Sequence, residues 1–234
     1  MICSNRSSLK ISLSLPMQKK LLIFGATGNT GLELVRQALN AGHSVTAIVR
    51  NDTALKAFSG LSIIKGNIYD SYFITDMLLQ VRPDVVISCL GVHGTNAFNR
   101  TKLYSETMTV FVKAMEAAGV TKRIVCISSW GSKKATENNW VLQWILKPVL
   151  FAGFIHYMDL METILEKSDL DYTIVRPPGL TNKPATGKVL IEQNLYQNTK
   201  GKWTITRADL AAILLKAALE NRYIKQGITV TNAQ

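Results

Sequence analysis

Seven consecutive residues, Gly25-Ala26-Thr27-Gly28-Asn29-Thr30-Gly31, carry the clearest chemistry in this chain. They follow the apolar run KKLLIFG and lead into a segment with Leu32, Val35 and Leu39 at helical spacing, so they form a turn between a strand and a helix. Gly25 permits a sharp exit from the strand. Gly28 lets the backbone approach a diphosphate with no Cβ in the way, and Gly31 allows the helix to pack close to the sheet. The N–H groups that open the helix, at its positive dipole end, would hold the phosphates. Thr27, Asn29 and Thr30 add short side chains able to hydrogen-bond them. All seven residues are predicted to form a dinucleotide-binding turn, although the spacing is G-x-x-G-x-x-G rather than G-x-G-x-x-G.

The end of the second strand selects the dinucleotide. An acid there would accept hydrogen bonds from a ribose 2′-hydroxyl. This chain has Arg50, 19 residues after Gly31, and a guanidinium pairs bidentately with a 2′-phosphate. Asp52 lies two residues further on, within a turn. The predicted cofactor is therefore NADP(H).

The other strand ends supply the rest of a crevice. Asn67 and Ile68 fall at the adenine edge, and Leu90 and Gly91 beside the path to the nicotinamide. Pro177 and Pro178 withdraw backbone donors and leave carbonyls to accept from a nicotinamide amide. Ser128, at the tip of the fifth strand, is the catalytic candidate, placed to hydrogen-bond nicotinamide or substrate. No Tyr-x-x-x-Lys pair stands in the expected helix, because four residues after Tyr157 comes Met161. Tyr196 and Lys200 match that spacing outside any helical pattern. His93 and His156 read as structural or exposed, and no metal-ligand cluster or nucleophile–base arrangement is visible.

Those positions require a framework of alternating strands and helices. Strand patterns occur in KKLLIFG, SVTAIVR, LSIIKG, PDVVISCLG, KRIVCISS, DYTIVRPPG and GITVTN, with helical patterns between them over residues 32–41, 71–81, 102–119, 156–168 and 207–219. Strands rich in Val and Ile that alternate with helices predict an α/β fold, a Rossmann-type doubly wound parallel sheet. The pattern shows a single domain over residues 19–234 with a small C-terminal substrate region. Residues 1–18 read as a leader or disordered extension, serine-rich and free of acids over MICSNRSSLKISLSLP.

Composition narrows the class further. The chain has 234 residues, 47% of them apolar, enough for one buried core. Three cysteines are too few for a disulfide framework, and Cys89 and Cys126 sit in apolar runs, pointing to a reducing, cytoplasmic setting. The net charge of +11 is spread along the chain without an arginine-rich tract, which favours attraction of an anionic small molecule over nucleic acid. The longest apolar stretch, residues 141–155, is too short and interrupted to span a bilayer. The expected partner is a small-molecule acceptor, with the chain a monomer or dimer.

Taken together, GATGNTG, Arg50, VCISS and SDLDYTIVRPPGLTNKPATGKV resemble the atypical short-chain dehydrogenases of the NAD(P)H-binding, NmrA-like group. The closest resemblance is to the flavin reductase and biliverdin-IXβ reductase family, from about Lys19 onward. It implies NADPH-dependent reduction of flavins or linear tetrapyrroles without a Tyr-Lys pair, with Ser128 as the active-site serine. It also assigns the phosphate turn, Arg50, Asn67, Ile68, Leu90 and Gly91 to the cofactor, although the family often has Asp at the place of Asn67. Residues 130–155 do not match the family pattern; they could form an apolar lid, a dimer contact or a packed surface helix. NmrA-like members also sense NADP redox state without turnover, which is the alternative reading. A sugar-nucleotide epimerase is a distant third, since only about 55 residues follow RPPG.

Overall fold

The computed structural model describes residues 17–50, 55, 58–92, 102–130, 132, 152–193 and 201–234. In chain order the elements are β1 (Lys20–Phe24), α1 (Asn29–Asn40), β2 (Ser44–Val49), β3 (Leu61–Lys65), α2 (Ser71–Val81), β4 (Val85–Ser88), α3 (Leu103–Ala118), β5 (Arg123–Ile127), α4 (Ala152–Glu166) and β6 (Asp171–Arg176). Then come β7 (Gly179–Thr181), β8 (Val189–Gln193), β9 (Thr204–Thr206), α5 (Arg207–Leu219) and β10 (Gln226–Asn232). The main sheet runs β3-β2-β1-β4-β5-β6-β10-β8, and β7 pairs with β9 in a separate ribbon. Every pairing in the main sheet is parallel except the edge pair β10–β8.

The period of two along buried strands explains the layering. In β1, Leu21 and Ile23 join the core beneath α1 and α5, whereas Leu22 and Phe24 join the core beneath α2, α3 and α4. Helices cover both faces, so the fold is a Rossmann-type doubly wound sheet, as the alternation predicted. Helix ends have local causes. The Asp70 side chain caps α2 by accepting from the N–H groups of Tyr72 and Phe73, and Gly119, at φ 63°, ends α3.

Several boundaries differ from the sequence expectation. Helix α1 opens at Asn29 rather than Leu32, inside the glycine turn itself. The strands stop short of the expected site residues, leaving Arg50, Leu90, Gly91 and Ser128 on the loops beyond. Short strands β7, β8 and β9 carried no recognised pattern, because each has only three to five residues and at most three apolar ones in a row. Apart from Met17 and Gln18, the expected leader lies outside the described residues, as do His93, Tyr196, Lys200, Asp52 and nearly all of residues 131–151.

Candidate functional site

Strand order reverses between β1 and β4, and the glycine turn sits at that switch point. Gly25 adopts φ 75°, and a Cβ there would stand 2.5 Å from the Cys89 carbonyl oxygen. A Cβ on Gly31 would collide with the Gly25 carbonyl, so this glycine brings helix to strand as expected. Gly28 is the N-cap of α1, and no side chain caps the helix. The first-turn N–H groups find no acceptor among the described residues, which leaves them for an anion.

Two adjoining hollows open along the carboxyl ends of the strands. The larger, about 550 Å³, is lined by Thr27, Arg50, Ile68 and Tyr69 among others. The smaller, about 260 Å³, is lined by Asn29, Thr30, Met158, Ser128, Pro177, Pro178, Leu180 and Arg207 among others. Both are lined by Gly28, Cys89, Leu90, Gly91 and Val92, so they form one crevice that bends past the helix terminus. The structure thus brings Arg50, Ile68, Gly28, Leu90, Gly91, Ser128 and Pro177 to a single cleft.

Other expected residues take different parts. Ala26 and Gly31 are buried and contribute packing rather than cleft surface. Asn67 is exposed, its Oδ1 accepting from the Tyr69 N–H at 3.1 Å, and Tyr69 lines the wall beside Ile68. The Pro177 carbonyl accepts from the Trp130 N–H at 2.9 Å, which engages one of its two lone pairs. This bond and Ser128 N–H to the Val175 carbonyl, at 2.8 Å, continue the β5–β6 ladder past the strand ends and hold Ser128 beside Arg176. His156 is exposed on α4. Cys89 and Cys126 are buried, and burial pushes the Cys89 thiol up to about 12, far from reactive.

Beneath the smaller hollow lies a polar cluster that sequence reasoning missed. Glu162, fully buried, accepts from Ser128 Oγ at 2.5 Å and from Ser132 Oγ at 2.6 Å. Arg176 Nη2 closes an ion pair to Glu162 Oε2 at 2.7 Å. Burial opposes the Arg176 charge, but the hydrogen bond and ion pair with Glu162 outweigh it and raise the guanidinium further above its ordinary value. One signal was readable. On α4 the buried residues Met158, Met161, Glu162 and Leu165 repeat at i, i+3, i+4 and i+7, so an acid occupies a core place in an apolar stripe.

Among the described residues no group of three or more His, Cys, Asp or Glu could hold a metal, and no helix is long and apolar enough to cross a membrane. A glycine turn, an uncapped helix start and a crevice at the sheet's switch point define a Rossmann-type dinucleotide-binding protein. The chain belongs to the NAD(P)H-binding family, which matches residues 25–221. It is 31% identical over 215 residues to an Arabidopsis thaliana protein named as uncharacterized and chloroplastic, a match spanning 86% of this chain and 72% of that protein. It is 30% identical over 201 residues to Bacillus subtilis YhfK, named as an uncharacterized sugar epimerase, spanning 83% of this chain and 87% of that one. Among solved structures, the anaerobillin reductase ChuY of Escherichia coli O157:H7 superposes with a TM-score of 0.72 at 25% identity, spanning 91% of this chain and 97% of that one.

Proposed function

We propose that this chain is an NADPH-dependent reductase that passes hydride to a planar acceptor, a flavin or a linear tetrapyrrole. The observation that carries the reading is the continuity of the crevice. A dinucleotide with its adenosine beside Arg50 and Ile68 would cross the first turn of α1 and end beside Ser128, Met158 and Pro178. Arg50 then pairs with a 2′-phosphate, and the amides at Asn29 and Thr30 hold the diphosphate. NADPH when bound supplies the hydride. The chain aligns acceptor and donor and keeps water from the ring faces, while the acceptor's proton comes from solvent.

The smaller hollow suits a flat ring with an acidic substituent. Met158, Ile127 and Leu180 give it apolar walls, and Arg207 stands at its edge, held by the Asn182 side chain at 2.7 Å. The kinship with an anaerobillin reductase supports an acceptor of this kind. The epimerase named among the relatives is less well supported, because oxidising a sugar hydroxyl requires a base to take its proton. The acid beneath the hollow, Glu162, already holds a guanidinium and two hydroxyl protons.

A binding protein that senses NADP(H) draws on that same commitment of Ser128. NADPH oxidation measured with FMN, biliverdin and menadione separates the readings. Turnover with FMN or biliverdin is expected, whereas tight cofactor binding with no turnover of any acceptor would replace the reductase with the sensor.

A further inference from the structure

We propose that Ser128 meets the acceptor only as a hydrogen-bond acceptor, and that the site therefore selects a ring edge bearing N–H over one bearing only carbonyl oxygens. The proposal rests on the reductase reading for its choice of ligand, but its cause lies within the protein. Ile124 and Cys126 point from β5 toward α4, and with a period of two Ser128 continues that row. Tyr172 and Ile174 do the same on β6, and Arg176 follows them. The two polar ends converge on Glu162.

Oε1 of that carboxylate accepts from three donors: Ser128 Oγ at 2.5 Å, Ser132 Oγ at 2.6 Å and Arg176 Nε at 3.0 Å. Paired with a guanidinium, the carboxylate is ionised and has only lone pairs to offer. Each serine must therefore donate its single hydroxyl proton inward. No donor among the described residues reaches Ser128 Oγ, so its lone pairs are left for whatever fills the hollow that Ser128 lines. The arrangement is built into the fold: a side chain at Gly227 on β10 would occupy the place of the Arg176 guanidinium.

A ligand carbonyl against this oxygen would set lone pair against lone pair. Rotating the hydroxyl outward to meet it would strip a donor from a fully buried carboxylate, which is costly. An N–H meets an oxygen whose acceptor strength is raised by the bond it donates. The imide edge of a flavin and the pyrrole edge of a linear tetrapyrrole carry such a group; a quinone does not. Glu162 is thus a positioning residue that sets specificity through Ser128.

Two measurements on the full chain test this. In the NADP⁺-loaded protein, lumiflavin should bind about tenfold more tightly than its N3-methyl derivative or menadione, and Ser128→Ala should reduce that ratio to about twofold or less. Equal affinities, or discrimination that survives Ser128→Ala, overturn the proposal. In the ligand-free protein, the Ser128 hydroxyl proton should appear by NMR as a downfield, slowly exchanging resonance coupled to the Ser128 β protons. Glu162→Gln should move it upfield. Ser132→Ala, which keeps the ion pair and serves if Glu162→Gln fails to fold, should move it further downfield. A rapidly exchanging or undetectable hydroxyl overturns the proposal whatever the acceptor is. A committed hydroxyl in a chain that binds neither flavin nor biliverdin overturns the reading of the acceptor instead.

Discussion

Arg50 is exposed at the end of β2, on the wall of the larger hollow, where it can meet an anion without giving up its hydration in advance. Its guanidinium matches a phosphate geometrically, and nothing about an unphosphorylated ribose rewards it equally. Arg50→Glu should weaken NADPH binding roughly a hundredfold by fluorescence titration and change NADH affinity by about threefold or less. Equal losses for the two cofactors would remove the 2′-phosphate role. Gly25 is a residue of a different kind, since its importance is geometric. Gly25→Ala meets a positive φ, costing about 1–3 kcal/mol, and places a methyl 2.5 Å from the Cys89 carbonyl. The variant should unfold at lower urea and lose cofactor affinity together. Normal stability with normal affinity would show that the turn relaxes easily.

At the scale of elements, the helices differ in what caps their first turns. Helix α2 is capped by Asp70, whose Oδ1 accepts from Tyr72 N–H at 3.0 Å and Phe73 N–H at 3.1 Å. Asp70→Ala should cost about 1 kcal/mol in chemical denaturation with cofactor affinity unchanged. Helix α1 has no such cap, and neither has α3; what distinguishes α1 is the glycine turn that leads into it at the switch point of the sheet. Helix α5 is capped by Thr206, whose Oγ1 accepts from the Asp209 N–H at 3.0 Å, within a larger network.

Across the whole molecule, buried polar groups tie distant segments of chain. Arg123 donates to the carbonyls of Asp171, Ala217 and Arg222 and to Thr173 Oγ1, joining β5 and β6 to the end of α5. Burial lowers this guanidinium to about 10, against the pull of Asp171. Asp209 joins the approach to β8, the start of α5 and the end of β10. Burial opposes its ionisation, but the N–H groups of Thr186 and Gly187 and the side chains of Asn232 and Thr186 outweigh it, holding the carboxyl below its ordinary value. A depressed folded pKa stabilises the protein fully above the unfolded carboxylate value of about 3.9 and loses that contribution as pH falls below it. Asp209→Asn should therefore cost about 1.5–3 kcal/mol in urea unfolding at neutral pH, and the gap from the wild type should shrink at about pH 3. A gap independent of pH would assign the effect to packing. The net charge of +11 is the remaining property at this scale, and it favours attraction of an anionic dinucleotide.

The amino-acid sequence by itself determined whatever depends on neighbours a few residues apart. The alternation of apolar runs specified the doubly wound sheet, the helices α2 and α5 fell where periodicity put them, and the glycine turn announced its own geometry. Arg50 and Ser128 could be placed at the crevice because a strand end is a local feature and this fold puts every parallel strand end on one edge. Tertiary structure decided the pairings. Ser128 is 34 residues from Glu162, and Arg176 is 14 residues from it. An acid in an apolar stripe signals that a partner must exist, but only strand order and register say which one. The same holds for Pro177, whose carbonyl takes the Trp130 N–H, and for Asn67, whose Oδ1 takes the Tyr69 N–H while Tyr69 lines the wall. Local pattern decides which element a residue joins, whereas the direction of a hydroxyl proton depends on what the fold packs behind it.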